Sequence, residues 1–409
     1  MGGGIKNLVL VWLMSGVCFM LPAQTFISPD RLLIADGIKN KATATDTYFA
    51  DLLAARVRWP WVDKFELRTE ADRLKTNRQE FLFRTSFLGF SRRKFEFLRL
   101  RALAETKVAD YTRETYKDFF TRCLFVVSMI KNQAEKDLAV TRVLYHRALD
   151  SLYRTQLAAG GDPDLRDFLK NREEWLEAQK KAEERRIFHT VMLEKEGYDS
   201  LTYLDQQGII SPENIIRIVE NLSVDEKTHP DLAEKESQKR FLNSELDAEK
   251  AEDRKILDFA QVRYTTREDL LFENRFSVGV GLNIPWSGAT RIRHQDIRIR
   301  LEENQFEKSN RLFSLTRQLE DKKAEAKALF EMYNLYTRQD NDVEWQTTRK
   351  RIEESGRVNP TDVFRLKIYA LDRMEKISDI FHNLLQIYTE ALYFAGKLDP
   401  ETAIFERSE

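Results

Sequence analysis

Between positions 276 and 284 the chain alternates strictly between large apolar residues and small or polar ones. The apolar positions are Phe276, Val278, Val280, Leu282 and Ile284. The positions between them are Ser277, Gly279, Gly281 and Asn283. Alternation with a period of two predicts a β-strand with one apolar face and one small or polar face.

Three other segments are predicted to be strands. Segment 257–266 (LDFAQVRYTT) precedes the strand above across a polar turn, and segments 63–70 (DKFELRTE) and 78–87 (RQEFLFRTSF) form an earlier pair. In the last of these, one face is formed by Phe81, Phe83, Thr85 and Phe87. Two strand-like runs joined by a short polar turn predict a β-hairpin, so the sequence predicts two hairpins.

Two very long helices are predicted after the hairpins, because neither glycine nor proline occurs between Gly89 and Gly160 or between Gly288 and Gly356. At about 1.5 Å per residue, each stretch is long enough for a helix on the order of 100 Å. The first carries an apolar stripe in alternating steps of three and four, which is typical of a coiled-coil seam. The stripe consists of Tyr116, Phe120, Cys123, Val127, Ile130, Ala134, Leu138, Thr141, Tyr145, Ala148 and Leu152.

Both long stretches end in the same way, with AAGGDPDLRDFLK (158–170) and ESGRVNPTDVFRLK (354–367). Glycine ends a helix at C′, and Asp or Asn before Pro caps the next helix with Pro at N1. Each segment therefore predicts a tight turn, followed by returning helices at roughly 164–196 and 361–396. The residues of the two tips are Gly160, Gly161, Asp162, Pro163, Gly356, Arg357, Asn359 and Pro360.

The same order of helix, hairpin, long helix, turn and returning helix occurs twice, which indicates an internal duplication. We predict a first repeat at 24–207, a linker with a short amphipathic helix at 208–228, a second repeat at 229–400 and a tail at 401–409. The fold class predicted is mixed and mostly helical, with very long coiled-coil helices and four strands per chain.

The first 23 residues have the features of a signal peptide: Lys6, the apolar run LVLVWLMSGVCFML and a small residue, Ala23, before the predicted cleavage point. A retained anchor is the alternative. Lipid attachment at Cys18 is disfavoured by Val17 before it. Without this segment only Cys123 remains, so no intramolecular disulfide can form.

The chemistry of the chain suggests no enzyme. Lys+Arg number 66 against Asp+Glu 67, a net charge of −1 that gives no basic face for nucleic acid. The histidines are scattered, and no nucleophile elbow, phosphate loop or dinucleotide fingerprint is present. We therefore predict no catalytic, cofactor-binding or metal-binding residues and no nucleic-acid partner.

The four predicted strands have the length of tilted transmembrane strands. Four strands cannot close a barrel, and lipid does not tolerate an open sheet edge, so several chains have to pool their strands. The apolar residues at 276–284 would then face lipid, and Trp61, Phe90 and Trp286 would lie near the membrane interfaces. The alternative is a soluble sheet packed on the helices of its own chain.

The signal segment, the duplicated halves and the Gly-Pro turns together resemble the TolC-like outer membrane efflux proteins. The best matching stretches are HPDLAEKESQ, RFSVGVGLNIPWSG and SGRVNPTDVFRLK. The resemblance implies a homotrimer in the outer membrane of a Gram-negative-type bacterium, with a 12-stranded β-barrel and a helical tunnel across the periplasm. It also implies a periplasmic adaptor protein and an inner-membrane pump or exporter as partners.

Two departures and one alternative bear on this interpretation. The family usually has an apolar residue after the tip glycine, whereas this chain has Gly161 and Arg357. The family's gate is acidic; Asp362 matches its first acid, but Arg365 stands where a second acid is common. The alternative to a gate is that Asp362 and Arg365 are both solvated on the outside of the coiled coil. The alternative function is a periplasmic coiled-coil structural or adaptor protein with a small soluble β-domain.

Overall fold

The structure of the protein is a computed structural model. It describes residues 25–27, 33, 62–71, 79–87, 90–160, 164–198, 202–205, 208–254, 257–266, 271, 275–282, 288–340, 346–347, 350–351 and 360–399. The strands are β1 (Thr25–Ile27), β2 (Val62–Ala71), β3 (Gln79–Phe87), β4 (Thr202–Leu204), β5 (Leu257–Thr265) and β6 (Phe276–Leu282). The helices are α1 (Phe90–Ala158), α2 (Leu165–Lys195), α3 (Pro212–Glu220), α4 (Pro230–Asp253), α5 (Gly288–Asp340) and α6 (Pro360–Ala395).

The four longer strands form one antiparallel sheet in the order β2-β3-β5-β6. The two hairpins therefore meet at the β3–β5 pair, where Phe83 lies opposite Val262. One register shift occurs near the start of β2 and another near the start of β5. The outer edges of β2 and β6 pair with no other strand in the described part of the chain.

Helix α1 is central to the helical part, because it packs against α4, α2 and α6. The contact with α4 includes ion pairs between Arg92 and Glu252, at 2.6 Å, and between Arg113 and Glu234, at 3.0 Å. Helix α5 packs against α4 and α6, and Lys322 of α5 lies 2.7 Å from Glu390 of α6. The long helices are thus laterally joined by charged pairs as well as by apolar contacts.

The apolar core is concentrated near the middle of the long helices. Its members on α1 are buried completely or nearly so, and they contact the second half of α6, the short helix α3 and parts of α2 and α5. The largest fully buried side chains of this core include Met129, Ile130, Leu193, Ile215, Leu319, Leu384 and Leu385. The core thus fixes how the two halves of the chain pack together.

Strands β1 and β4 were not predicted from the sequence. They pair in parallel, and each has only three residues, too few for a periodic pattern to be visible. The side chain of Gln133 on α1 fixes them: its amide nitrogen donates to the Leu204 carbonyl at 3.0 Å, and its oxygen accepts from the Leu204 amide at 2.7 Å. The first and last parts of the first half are thereby joined.

The prediction of a mostly helical chain with a four-stranded antiparallel sheet is confirmed. The returning helices and the short linker helix also lie where the sequence indicates. The cap of α2 differs from the prediction: its N-cap is Asp164, whose carboxylate accepts from the Arg166 amide at 2.9 Å, and not the Asp-Pro pair before it. No helix in the described ranges is long and apolar enough to span a bilayer.

One buried histidine couples this packing to pH. His189 of α2 is fully buried, and burial together with the nearby charge of Lys136 lowers its pKa to about 4. Lys136 is itself buried, with its Nζ atom 4.0 Å from the centre of the Tyr203 ring, and that ring lies 6.0 Å from the imidazole. His189 is therefore neutral in the folded chain throughout the physiological range.

We predict that His189→Gln reduces the acid sensitivity of the fold. Unfolded histidine has a pKa of about 6.5, so the unfolded state binds a proton that the folded state excludes. The contribution of neutral His189 to the free energy of unfolding is therefore complete above a pH of about 6.5. It is lost as the pH falls toward about 4. At pH about 5 the loss is about 2 kcal/mol per chain. Urea unfolding near neutral pH and near pH 5 measures it, and an equal drop in the variant contradicts the prediction.

Candidate functional site

One face of the four-stranded sheet is mostly apolar, and the other carries most of its charged residues. Residues directly opposite each other on antiparallel strands share a face, so the register assigns the positions between the register shifts and the strand ends. One face is formed by Phe65, Leu67, Thr69, Phe81, Phe83, Thr85, Ala260, Val262, Tyr264, Phe276, Val278, Val280 and Leu282. The other is formed by Lys64, Glu66, Arg68, Glu70, Glu80, Leu82, Arg84, Ser86, Phe259, Gln261, Arg263, Thr265, Ser277, Gly279 and Gly281.

The apolar face is uncovered. Val278 is 77% exposed and Val280 is 60% exposed, and within the described residues no helix packs across the sheet. Phe276 and Leu282, also predicted to face lipid, are exposed on the same face, and Ile284 lies outside the described residues. A continuous uncovered apolar surface of this kind marks a membrane or interaction surface in a folded protein.

An aromatic row crosses the apolar face at the hairpin ends of the strands. Phe81, Tyr264 and Phe276 occupy one register row, with ring centres 6.4 Å apart in the first pair and 4.8 Å apart in the second. Aromatic residues at this position are typical of the interface girdle of a membrane β-barrel. Of the aromatic residues singled out in the sequence, Phe90 is the first residue of α1, and Trp61 and Trp286 lie outside the described residues.

The polar face carries charges that are mostly paired along or across the strands. Lys64 pairs with Glu66 at 3.6 Å, and Arg68 pairs with Glu70 at 3.5 Å. Arg263 on β5 lies 3.6 Å from Glu80 on β3. Side chains of both signs on one face are suited to contact with water.

A stack of three residues crosses the strands on this polar face. The guanidinium carbon of Arg84 lies 3.6 Å from the centre of the Phe259 ring. The same ring occupies the space above Gly281, where an added Cβ would come within 2.2 Å of the ring carbon Cε1. Gly281 is therefore required for this packing, a role that the alternating sequence pattern did not reveal.

The tip of the first helical pair lies at the other end of α1. Helix α1 ends at Ala158, and Gly160 has a positive φ of 74°, as expected for a glycine that ends a helix. Pro360 is the first residue of α6. The remaining predicted tip residues, Gly161, Asp162, Pro163, Gly356, Arg357 and Asn359, lie outside the described residues.

Arg365 joins three helices near this tip. Its guanidinium group pairs with Asp167 of α2 and donates to the Tyr153 hydroxyl of α1 at 3.0 Å. A second nitrogen lies 3.7 Å from Asp362 on its own helix. The contact with Asp167 raises the pKa of Arg365 further above its ordinary value, so its charge is permanent.

This connection between helices was not predicted. The sequence indicated only that Arg365 and Asp362, three residues apart, lie on one helix face, which the 3.7 Å contact bears out. Asp167 and Tyr153 lie on other helices and are distant in sequence, so periodicity could not have identified them. Among the described residues, no group of three or more histidine, cysteine or acidic side chains is arranged to hold a metal ion.

Comparison with known proteins identifies the fold. No family model matches the chain, and no curated protein matches its sequence. Among solved structures, it is similar to the outer membrane protein VceC from Vibrio cholerae, with 11% identity, a TM-score of 0.58 and coverage of 90% of this chain and 93% of that one. The outer-membrane channel OprN matches with 14% identity, a TM-score of 0.54 and coverage of 90% and 87%.

The Campylobacter jejuni CmeC outer membrane channel matches similarly, with 11% identity, a TM-score of 0.53 and coverage of 94% and 84%. At these identities the similarity establishes the fold. The resemblance to TolC-like outer membrane efflux proteins noted in the sequence is thus confirmed at the level of the fold. This chain spans most of the length of each of these structures.

We predict that Arg365→Gln loosens the start of α2. The variant loses the charged contacts with Asp167 and Asp362, and because the arginine is half exposed the loss is at most about 1 kcal/mol. Hydrogen exchange in the first turns of α2 should accelerate by up to about fivefold. Asp362→Asn is the matched control, since it leaves the Asp167 contact intact. Equal exchange in both variants would contradict a role for this contact.

Proposed function

We propose that this protein is a trimeric conduit of the outer membrane, through which solutes leave the periplasm as part of a tripartite efflux or secretion system. The observation that carries the proposal is the uncovered apolar face of the four-stranded sheet, which is backed by a charged face. In lipid the apolar face is favourably buried, while the charged face borders a water-filled interior. A soluble β-domain would leave the same apolar residues in water.

Closure of the sheet supports assembly from identical chains. The strands alternate in direction from β2 to β6, so β6 of one copy is antiparallel to β2 of the next. Each added copy contributes four strands, and a closed barrel leaves no unpaired edge in the bilayer. Three copies give 12 strands, the number implied by the resemblance and within the range of outer membrane barrels.

An apolar stripe on α5 supports the same assembly. Ile292, Ile299, Phe306 and Phe313 recur every seven residues and are all exposed in the single chain. The buried residues of α5, such as Ile297, Asn304 and Leu315, lie on the opposite side of the helix. A seven-residue apolar repeat packs against another helix in a left-handed arrangement. We assign this stripe to the contact between neighbouring subunits.

The remaining parts take their proposed places from this arrangement. Residues 1–23 direct export and are removed. The repeats at 24–207 and 229–400, joined by 208–228, build the barrel strands and the periplasmic helices, and 401–409 form a tail. The tips at 160–163 and 356–360 contact a periplasmic adaptor protein that links the conduit to an inner-membrane pump or exporter. The proposed role as a conduit requires no catalytic step, cofactor or metal.

The tip contact is proposed as the periplasmic gate. Asp362 and Arg365 lie near the ends of the helices, and Arg365 connects α6 with α1 and α2 through Tyr153 and Asp167. These contacts hold the three helix ends together in one chain. Their loss would allow α6 to move away from α2, which widens the entrance in the trimer.

We predict that Val280→Arg impairs assembly in the outer membrane, whereas Ser277→Arg on the opposite face of the same strand is tolerated. A charge on the lipid side near the bilayer centre costs roughly 2–4 kcal/mol per chain. The readouts are membrane fractionation, an unboiled gel and light scattering in detergent, which should report three chains. Equal assembly of both variants, or a stable monomer of the natural chain, would overturn the proposal.

We predict that Arg365→Asp opens the gate and makes the entrance more cation-selective. The new carboxylate repels Asp167 and Asp362, and acids at a pore mouth concentrate cations. In planar bilayers the conductance, cation selectivity and block by divalent ions should all increase. Lys170→Asp makes a similar charge change on an exposed face of α2 and should have little effect. Identical behaviour of the two variants removes the case for a gate at Arg365.

A further inference from the structure

We propose that Arg84 forms a ring of unpaired positive charge inside the β-barrel, which draws small anionic solutes through the outer part of the conduit. This inference rests on the proposed trimeric barrel, because the polar face borders a lumen only in that assembly. The chemical class of ligand is a small anion, such as a halide, a carboxylate or a phosphate.

Arg84 differs from the other charged residues on the polar face because it has no ion-pair partner among the described residues. Three acids on this face, Glu66, Glu70 and Glu80, each lie within 3.6 Å of a basic side chain other than Arg84. Their partners are Lys64, Arg68 and Arg263. Glu66 is directly opposite Arg84 in the register, but within the described residues Arg84 forms no ion pair with it or with any other acid. Among the paired positions of this face, Arg84 is therefore the one positive charge without an acid partner.

The stack with Phe259 explains how this cation is held. The centre of the Phe259 ring lies 3.6 Å from the guanidinium carbon of Arg84. The same ring covers Gly281 on the neighbouring strand β6. The Nε atom of Arg84 is buried and has no hydrogen-bond partner among the described residues. A cation over an aromatic face is attracted electrostatically without being neutralised. Arg84 is thus fixed in position while its charge remains available.

The position of Arg84 places the charge inside the barrel wall and away from the strand ends. Arg84 lies three residues before Phe87, the last residue of β3. It is therefore roughly 10 Å along the strand from the end of the sheet that leads into α1. Two other acids, Asp63 and Asp258, lie at the register shifts close to the helical ends of β2 and β5. In a trimer, three copies of Arg84 form one ring, and rings of arginine or lysine favour anions in pores.

The test is the reversal potential of the full-length protein in planar bilayers under a potassium chloride gradient. Arg84→Gln should lower the chloride-to-potassium permeability ratio by about twofold or more. Arg84→Lys keeps the charge and should preserve the ratio. The double variant R68Q/E70Q removes a paired base and acid on the same face, so the ratio should again be unchanged.

Phe259→Leu separates the role of the stack from the role of the charge. The charge remains, but it is no longer held against the wall, so the ratio should fall part of the way toward that of Arg84→Gln. An unchanged ratio in Phe259→Leu would remove the positioning role of the ring. An unchanged ratio in Arg84→Gln, or an equal shift in R68Q/E70Q, would overturn the inference. Absence of any pore from the natural chain would instead overturn the proposed function.

Discussion

The outer edges of β2 and β6 have backbone N–H and C=O groups that pair with no strand in the described part of one chain. In water these groups can be solvated, but the apolar face beside them remains exposed. In lipid the apolar face is buried favourably, but the open edges leave unsatisfied polar groups that cost several kcal/mol each. Joining the edges of several copies meets both requirements together, so the proposed oligomer and the proposed membrane location depend on one feature.

The helical part follows a related division between apolar and charged contacts. Its apolar core lies near the middle of the long helices, around Met129 and Leu384, while ion pairs such as that of Arg92 with Glu252 join the helices farther along. Partly exposed ion pairs contribute little individually. Within one chain the ends of the long helices are thus held less firmly than their middle. Contacts between subunits would therefore add most stability at those ends.

The sequence predicted the elements that repeat over many residues. The strand at 276–282 was readable from its period of two, and the long helices from stretches without glycine or proline, although the described part of the second ends at Asp340 and not at the predicted tip near Gly356. Strands β1 and β4 were missed because three residues show no period. The cap at Asp164 was placed two residues early because several acids near the turn are chemically suitable.

The candidate sites were only partly predictable, for a different physical reason. Alternation indicated that Gly281 lies on the small or polar face, but not that the ring of Phe259 fills the space above it. Likewise, Arg365 was recognised as unusual, but its partners Asp167 and Tyr153 come from other helices. Contacts between distant segments depend on the register of the strands and on how the helices pack, which a single sequence does not specify.

The two proposed charge sites of the conduit, the tip contact and Arg84, carry fixed charges of opposite sign. In each chain the contact of Asp167, Asp362 and Arg365 combines two acids with one base, whereas Arg84 on the sheet is a positive charge with no acid paired to it among the described residues. Fixed charges act within a Debye length of about 10 Å or less in physiological salt, and α1 alone separates the two sites by about 100 Å. Each ring therefore sets the ion concentration only in its own section. Because the two sections lie in series, both contribute to the selectivity of the whole conduit, so a change of charge at one ring shifts that selectivity while the field at the other ring stays the same.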